Sequence, residues 1–163
     1  MEFHGLIHLF PREVKVVIAA FILTLSIGFY GGLSFVRSTT SMSSDGIETR
    51  YLGNEDDENA DVMKFKKSKG EILTVVHNHI LSLSVIFFLL SLILSTTSIN
   101  KKLKYFLMIE PFFSLVLTFG GIYLLWSGII WFKYIVVFSG ILMTLSFVLA
   151  TISILHQLFF SKS

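Results

Sequence analysis

Four apolar runs decide what this chain becomes. Residues 14–36, 72–97, 105–126 and 129–160 are each long enough to cross about 30 Å of hydrocarbon, which takes roughly 20 helical residues. Inside a bilayer every backbone N–H and C=O must find its partner within the protein, so spanning segments are helices or closed barrels. Seventeen Phe and only two Pro, in runs without polar alternation, select helices over barrel strands. The expectation is therefore an all-α polytopic membrane protein. It is a four-transmembrane-helix bundle, read as a single membrane domain over 1–163, with one hydrophilic loop, 37–71, between the first two spans. The fourth run is longer than a bilayer needs, so it tilts or protrudes. The first run exceeds the 7–15-residue core of a signal peptide and lacks a small-x-small cleavage site, so it reads as an uncleaved anchor. Its lead-in, MEFHGLIHLFPREVK with His4 and His8, reads as a basic flank, either a short interfacial helix or a frayed segment.

Composition narrows the chemistry. With 53% hydrophobic and 15% charged residues, the chain lies far from the soluble balance of about a quarter charged. It has no cysteine, which removes disulfides, thiolate metal sites, iron–sulfur clusters and Cys-linked haem. Any metal or haem would be held by His, Met, Tyr or carboxylate. A formal charge of +2 does not call for nucleic acid, and the basic residues mostly flank apolar runs, where topology accounts for them. No Ser–His–Asp arrangement, HExxH, CxxC or phosphate-binding Gly loop is present, so no motif argues for an enzyme.

Arg12, Lys15, Lys101, Lys102, Lys104 and Lys162 put both termini and the turn after span two on the cytoplasmic side. Lys64, Lys66, Lys67 and Lys69 of the loop oppose that assignment, beside the acids Glu55, Asp56, Asp57, Glu58 and Asp61. Those acids lack the spacing of a calcium-binding loop and read as solvated. Trp126, Trp131 and Tyr134 form an aromatic belt around the turn between spans three and four.

Each span carries small or polar residues at helical spacing. They are Thr24, Gly28, Gly31 and Gly32 on span one, and His77, Ser84, Ser91 and Ser95 on span two. Span three has Glu110, Ser114, Thr118 and Gly121, and span four has Ser139, Met143, Ser146, Ala150, Ser153 and Gln157. Two features exceed packing. His77 lies on the serine seam and is expected to face the bundle, whereas His79 is turned by about 200°. Both lie roughly 9–12 Å from mid-span, at the level of Gly28, Gly31, Gly32, Gly120, Gly121 and Gly140. That level leaves room for haem b, a metal ion or a quinone held by His77 and His79, or for close helix contact alone. Glu110, just before Pro111, is a costly intramembrane acid that needs a partner or a role. Ser91, Ser95, Thr151, Ser153 and Lys104 are the expected partners.

Arg50-Tyr51-x-Gly53-Asn54-Glu55, then Met63-Lys64-Phe65-Lys66-Lys67-Ser68, then His77-x-His79 resembles small uncharacterised bacterial inner-membrane proteins. Those have a Gly-Asn-Glu outer loop and an HxH at the start of the second span. The resemblance covers about residues 50–90. It implies a bacterial inner membrane, and a loop in which Tyr51, Asn54, Glu55 and Lys67 cap the outer mouth of the bundle above the histidines. Three functions follow, in this order. The first is a non-enzymatic accessory or oligomer-forming component. The second is a redox protein binding haem, metal or quinone. The third is a proton- or ion-coupled transport component using Glu110. The partners implied are the lipid bilayer and a homo-oligomer or larger membrane complex.

Overall fold

A computed structural model describes residues 5–57, 60 and 62–160. His4, Glu58, Asp61 and Lys162, invoked above, lie outside the described residues. Five α-helices and no strand occur among those described: α1 (Arg12–Thr40), α2 (Ser44–Leu52), α3 (Lys69–Ser95), α4 (Lys101–Trp126) and α5 (Phe132–Phe159). All but α2 are long and apolar enough to cross a membrane. The chain is a multi-pass membrane protein with two distinct ends. The loop end gathers the C-termini of α1 and α4 and the N-termini of α3 and α5. The terminal end holds the start of α1, the end of α5 and the α3–α4 turn.

Helix α4 is the centre, packed on α3 along one side and α5 along the other. Its buried Leu107, Pro111, Ser114, Thr118, Ile122 and Leu125 recur every three or four residues, the spacing that keeps side chains on one face of a helix. Phe87, Leu90 and Leu94 of α3 meet it, as do Met143, Phe147, Ala150 and Ile154 of α5. Helix α1 contributes Ile18, Ala19 and Ile22 near the terminal end. Beyond that its grip weakens. Phe29 stacks on Phe147 at 4.0 Å, but Ile27 and Tyr30 are 74% and 73% exposed.

Side-chain caps mark where α2, α3 and α4 start. Ser68 and Glu71 form a reciprocal capping box on α3, Asn100 accepts from the Lys102 and Leu103 amides at the head of α4, and Ser43 caps α2. Helix α1 stops at Ser41 and Met42, whose φ values of 51° and 52° turn the chain sharply. Helix α2 then folds back so closely that a Cβ on Gly46 would collide with the Thr40 carbonyl.

At the terminal end the described part of the lead-in packs back onto the bundle. Leu6–Leu9 form a 3-10 turn with Ile7 wholly buried, because the Gly5 and Ile7 amides donate to Thr97 and Thr96 carbonyls that the end of α3 leaves free. Gln157 Oε1 accepts from the Ser98 amide and hydroxyl at 2.7 and 2.9 Å, tying α5 to the same turn.

Candidate functional site

Three places hold the residues singled out by sequence. The first is the loop. The arm Tyr51–Glu55 lies alongside Lys64–Lys67: the Asn54 amide donates to Lys64 O (2.9 Å) and the Lys67 amide to Tyr51 O (3.1 Å). Asn54 Oδ1 accepts from the Lys64 amide at 2.6 Å, Asn54 Nδ2 donates to Val62 O at 3.1 Å, and Glu55 Oε1 accepts from the Lys66 amide at 3.2 Å. The structure thus brings Tyr51, Asn54, Glu55 and Lys67 into one hydrogen-bonded unit. Its anchor on the bundle is Trp126, whose Nε1 donates to Lys67 O at 2.7 Å, with Lys66 over the indole at 5.3 Å. Lys67 also pairs with Glu71 at 2.7 Å. Burial pushes the Tyr51 phenol above its ordinary value, and neighbouring Arg50 opposes that shift.

Beside this unit lies α2, a helix inside the segment expected to be loop. Its Asp45 and Glu48 both accept from Lys133 Nζ at 2.7 Å, and Ile47 is buried beneath them. The signal was present as Ser43 followed by Asp45 and by apolar Ile47, Tyr51 and Leu52, a cap followed by apolar residues at helical spacing.

The second place is the histidine pair, and here His77 departs from the expected inward orientation. His77 is exposed and lines an open groove with Leu73, Thr74 and Asn78. His79 is the ring that meets a neighbour, stacked on Phe119 of α4 at 4.5 Å, with its Nδ1 2.7 Å from Val75 O. The reason lies in the stripe α3 presents at this end, which is Val75, Val76, Ile80 and Leu83. His79 continues that stripe at i, i+4 spacing. A line drawn back from Ser91 through Ser84 to His77 does not, since Ser84 is only half-buried and bonds Leu81 O in its own helix. The two imidazoles therefore serve different surroundings, and no group of three or more His, Cys, Asp or Glu converges among the described residues. The glycines at this level do not all meet a neighbour within the chain. A Cβ at Gly28, Gly31, Gly32, Gly120 or Gly140 would meet nothing within 4 Å, and Gly121 alone of the six is pressed by a neighbour, Val136 of α5.

The third place is the α4–α5 seam. The polar lines of these two helices face each other, with Thr118 and Ser139 hydroxyls 2.8 Å apart. Glu110 is 7% exposed. Its Oε1 accepts a short hydrogen bond from Ser114, a residue on its own helix, and none of the five expected partners fills that role. Ser91 donates to Met108 O, Ser95 to Leu92 O, Thr151 to Phe147 O and Ser153 to Leu149 O. Lys104 reaches the Ser95 and Thr97 carbonyls at the end of α3. Each of these groups answers a nearer backbone carbonyl. Glu110 Oε2 and Ser146 Oγ are buried with no hydrogen-bond partner among the described residues.

Residues 41–163, about three-quarters of the chain, match a family described as a transmembrane helical domain. No curated protein and no solved structure matches. The matched segment begins at the residue that caps α1, so it comprises α2 to α5 with their loops, and α1 precedes it.

Proposed function

This chain belongs to that family of transmembrane helical domains, and we propose that it acts as a non-enzymatic assembly component that forms a homodimer through the glycine face of α1. One observation carries the reading: Gly28, Gly31 and Gly32 meet no neighbouring element within 4 Å of where a Cβ would stand. Small residues let membrane helices approach until backbone meets backbone. Gly28 and Gly32, one helical turn apart, present such a surface to the lipid. A two-fold contact uses the same surface from each chain, and a GxxxG face is self-complementary in this sense. Phe29 of this half of α1 packs on Phe147, while Gly28, Gly31 and Gly32 meet no other element, which leaves the glycine face available for a second copy. The exposed, divergent histidines lend a haem, metal or quinone role no comparable support.

The proposed setting is a bacterial inner membrane with both termini cytoplasmic. Arg12, Lys15, Lys101, Lys102 and Lys104 at the terminal end support this orientation.

The association is measured by energy transfer between labels on a single introduced cysteine in lipid bilayers, a clean readout because the chain has none of its own. The expected result is a dimer whose dissociation constant rises at least tenfold, about 1.4 kcal/mol, in Gly28→Leu/Gly32→Leu. Monomeric native chain, or equal association of the variant, would overturn the reading.

A further inference from the structure

Glu110 is isolated in a way that the whole molecule makes plain. Between Lys15 and Arg37 on α1, His79 and Ser95 on α3, Lys104 and Trp126 on α4, and Lys133 and His156 on α5, it is the sole Asp, Glu, Lys, Arg or His. No element packed against it brings a charge to its level. The nearest is Lys104, six residues along α4 or about 9 Å, and its ammonium reaches the Ser95 and Thr97 carbonyls. A bare carboxylate there would face hydrocarbon with one hydroxyl donor, a cost of several kcal/mol.

Ser146 supplies the second observation. The other serine and threonine hydroxyls of α5, on Ser139, Thr144, Thr151 and Ser153, each donate to the carbonyl four residues back. Ser146 does not, although it is 1% exposed, and its Oγ is unpartnered. The antiparallel register places it at the level of the acid. From the Thr118–Ser139 contact, eight residues back along α4 is Glu110, and eight forward along α5 is Phe147, next to Ser146. The two buried polar atoms without partners therefore belong to facing helices at one depth.

We propose that Glu110 and Ser146 form an intramembrane proton-binding site. The proton resides on Oε2 and is shared with Ser146 Oγ, while Ser114 donates to Oε1. A proton on Oε2 removes the charge from the hydrocarbon and makes that oxygen a donor, for which Ser146 Oγ, unpartnered and at the same depth on the facing helix, is the acceptor once the side chains turn toward each other. Pro111, which has no N–H, also leaves the Leu107 carbonyl without its usual helix donor beside this site.

The test uses dicyclohexylcarbodiimide, an apolar reagent that adds the O–H of a protonated carboxylic acid across its C=N bond, on the full chain in lipid nanodiscs. Mass spectrometry is expected to find one adduct, on Glu110, forming more slowly as the pH is raised and at the same rate with or without added sodium or lithium. Ser146→Ala, which deprives the acid form of its acceptor, should lose labelling at a lower pH than the native chain. Glu110→Gln copies the neutral acid, and is expected to keep the native melting temperature while taking no label. Three results would overturn the proposal: no adduct on Glu110 in folded protein, protection by sodium or lithium, which would mark a metal-cation site, or unfolding of Glu110→Gln.

Discussion

Gly53 shows how much one residue carries. Its φ of 86° with ψ of −177° belongs to a region that only glycine enters readily. A Cβ would also come within 2.7 Å of Lys64 O and 2.8 Å of Lys66 N, so the two loop arms close only because no side chain stands between them. Gly53→Ala is expected to cost about 1–3 kcal/mol locally and to separate the arms. Trypsin cleavage after Lys64, Lys66 and Lys67 should then accelerate in folded, membrane-inserted protein, and an unchanged cleavage rate would count against the close approach. Glu110 marks the limit of residue-level reading. An acid in an apolar run is conspicuous in sequence, but its partner is not, because Ser91, Ser95, Thr151 and Ser153 each had a carbonyl closer to hand than the carboxylate.

Among the elements, α2 owes its place to a charge on a distant helix. Lys133 is only 12% exposed and holds both Glu48 and Asp45. Glu48 is the more sheltered of the two acids and should count for more, since an exposed pair is worth little. Removing the cation leaves Glu48 without its partner and Ile47 less firmly covered. In a chain carrying Ile47→Cys, maleimide labelling should be slow, and adding Lys133→Gln should speed it severalfold. Equal rates would mean that apolar burial alone holds α2. Helix α1 makes the opposite point. It is joined firmly at Ile18, Ala19 and Ile22 and again at the Thr40 corner, yet carries an open stretch between. Its apolar composition gives no hint of this, because a lipid-facing and a helix-facing side chain look alike when both surroundings are apolar.

For the whole molecule, the two ends differ in construction. The terminal end is closed by backbone and amide hydrogen bonds around Ile7, Thr96, Thr97 and Gln157, and the loop end by a docked arm, a short helix and Trp126. The proposed orientation predicts that reporters fused at the C-terminus are active in the cytoplasm, whereas reporters inserted near Asp56 are active on the far side. The reverse pattern would show that Lys64, Lys66, Lys67 and Lys69 outweigh the lysines of the α3–α4 turn.

The all-helical class and the four spans were legible in the sequence, because hydrocarbon imposes length and internal hydrogen bonding on any chain that crosses it. The place of Glu110 inside an apolar run was equally legible, since a charge among apolar residues needs no coordinates to be seen. Only the tertiary structure decided that His79 rather than His77 meets a neighbouring helix, that Ser114 rather than Ser91 serves Glu110, and that the glycines of α1 stand open. These depend on which faces of adjacent helices meet. That choice is made by shape and by local hydrogen bonds competing over a few ångströms, and helical spacing along one strand of sequence does not encode it.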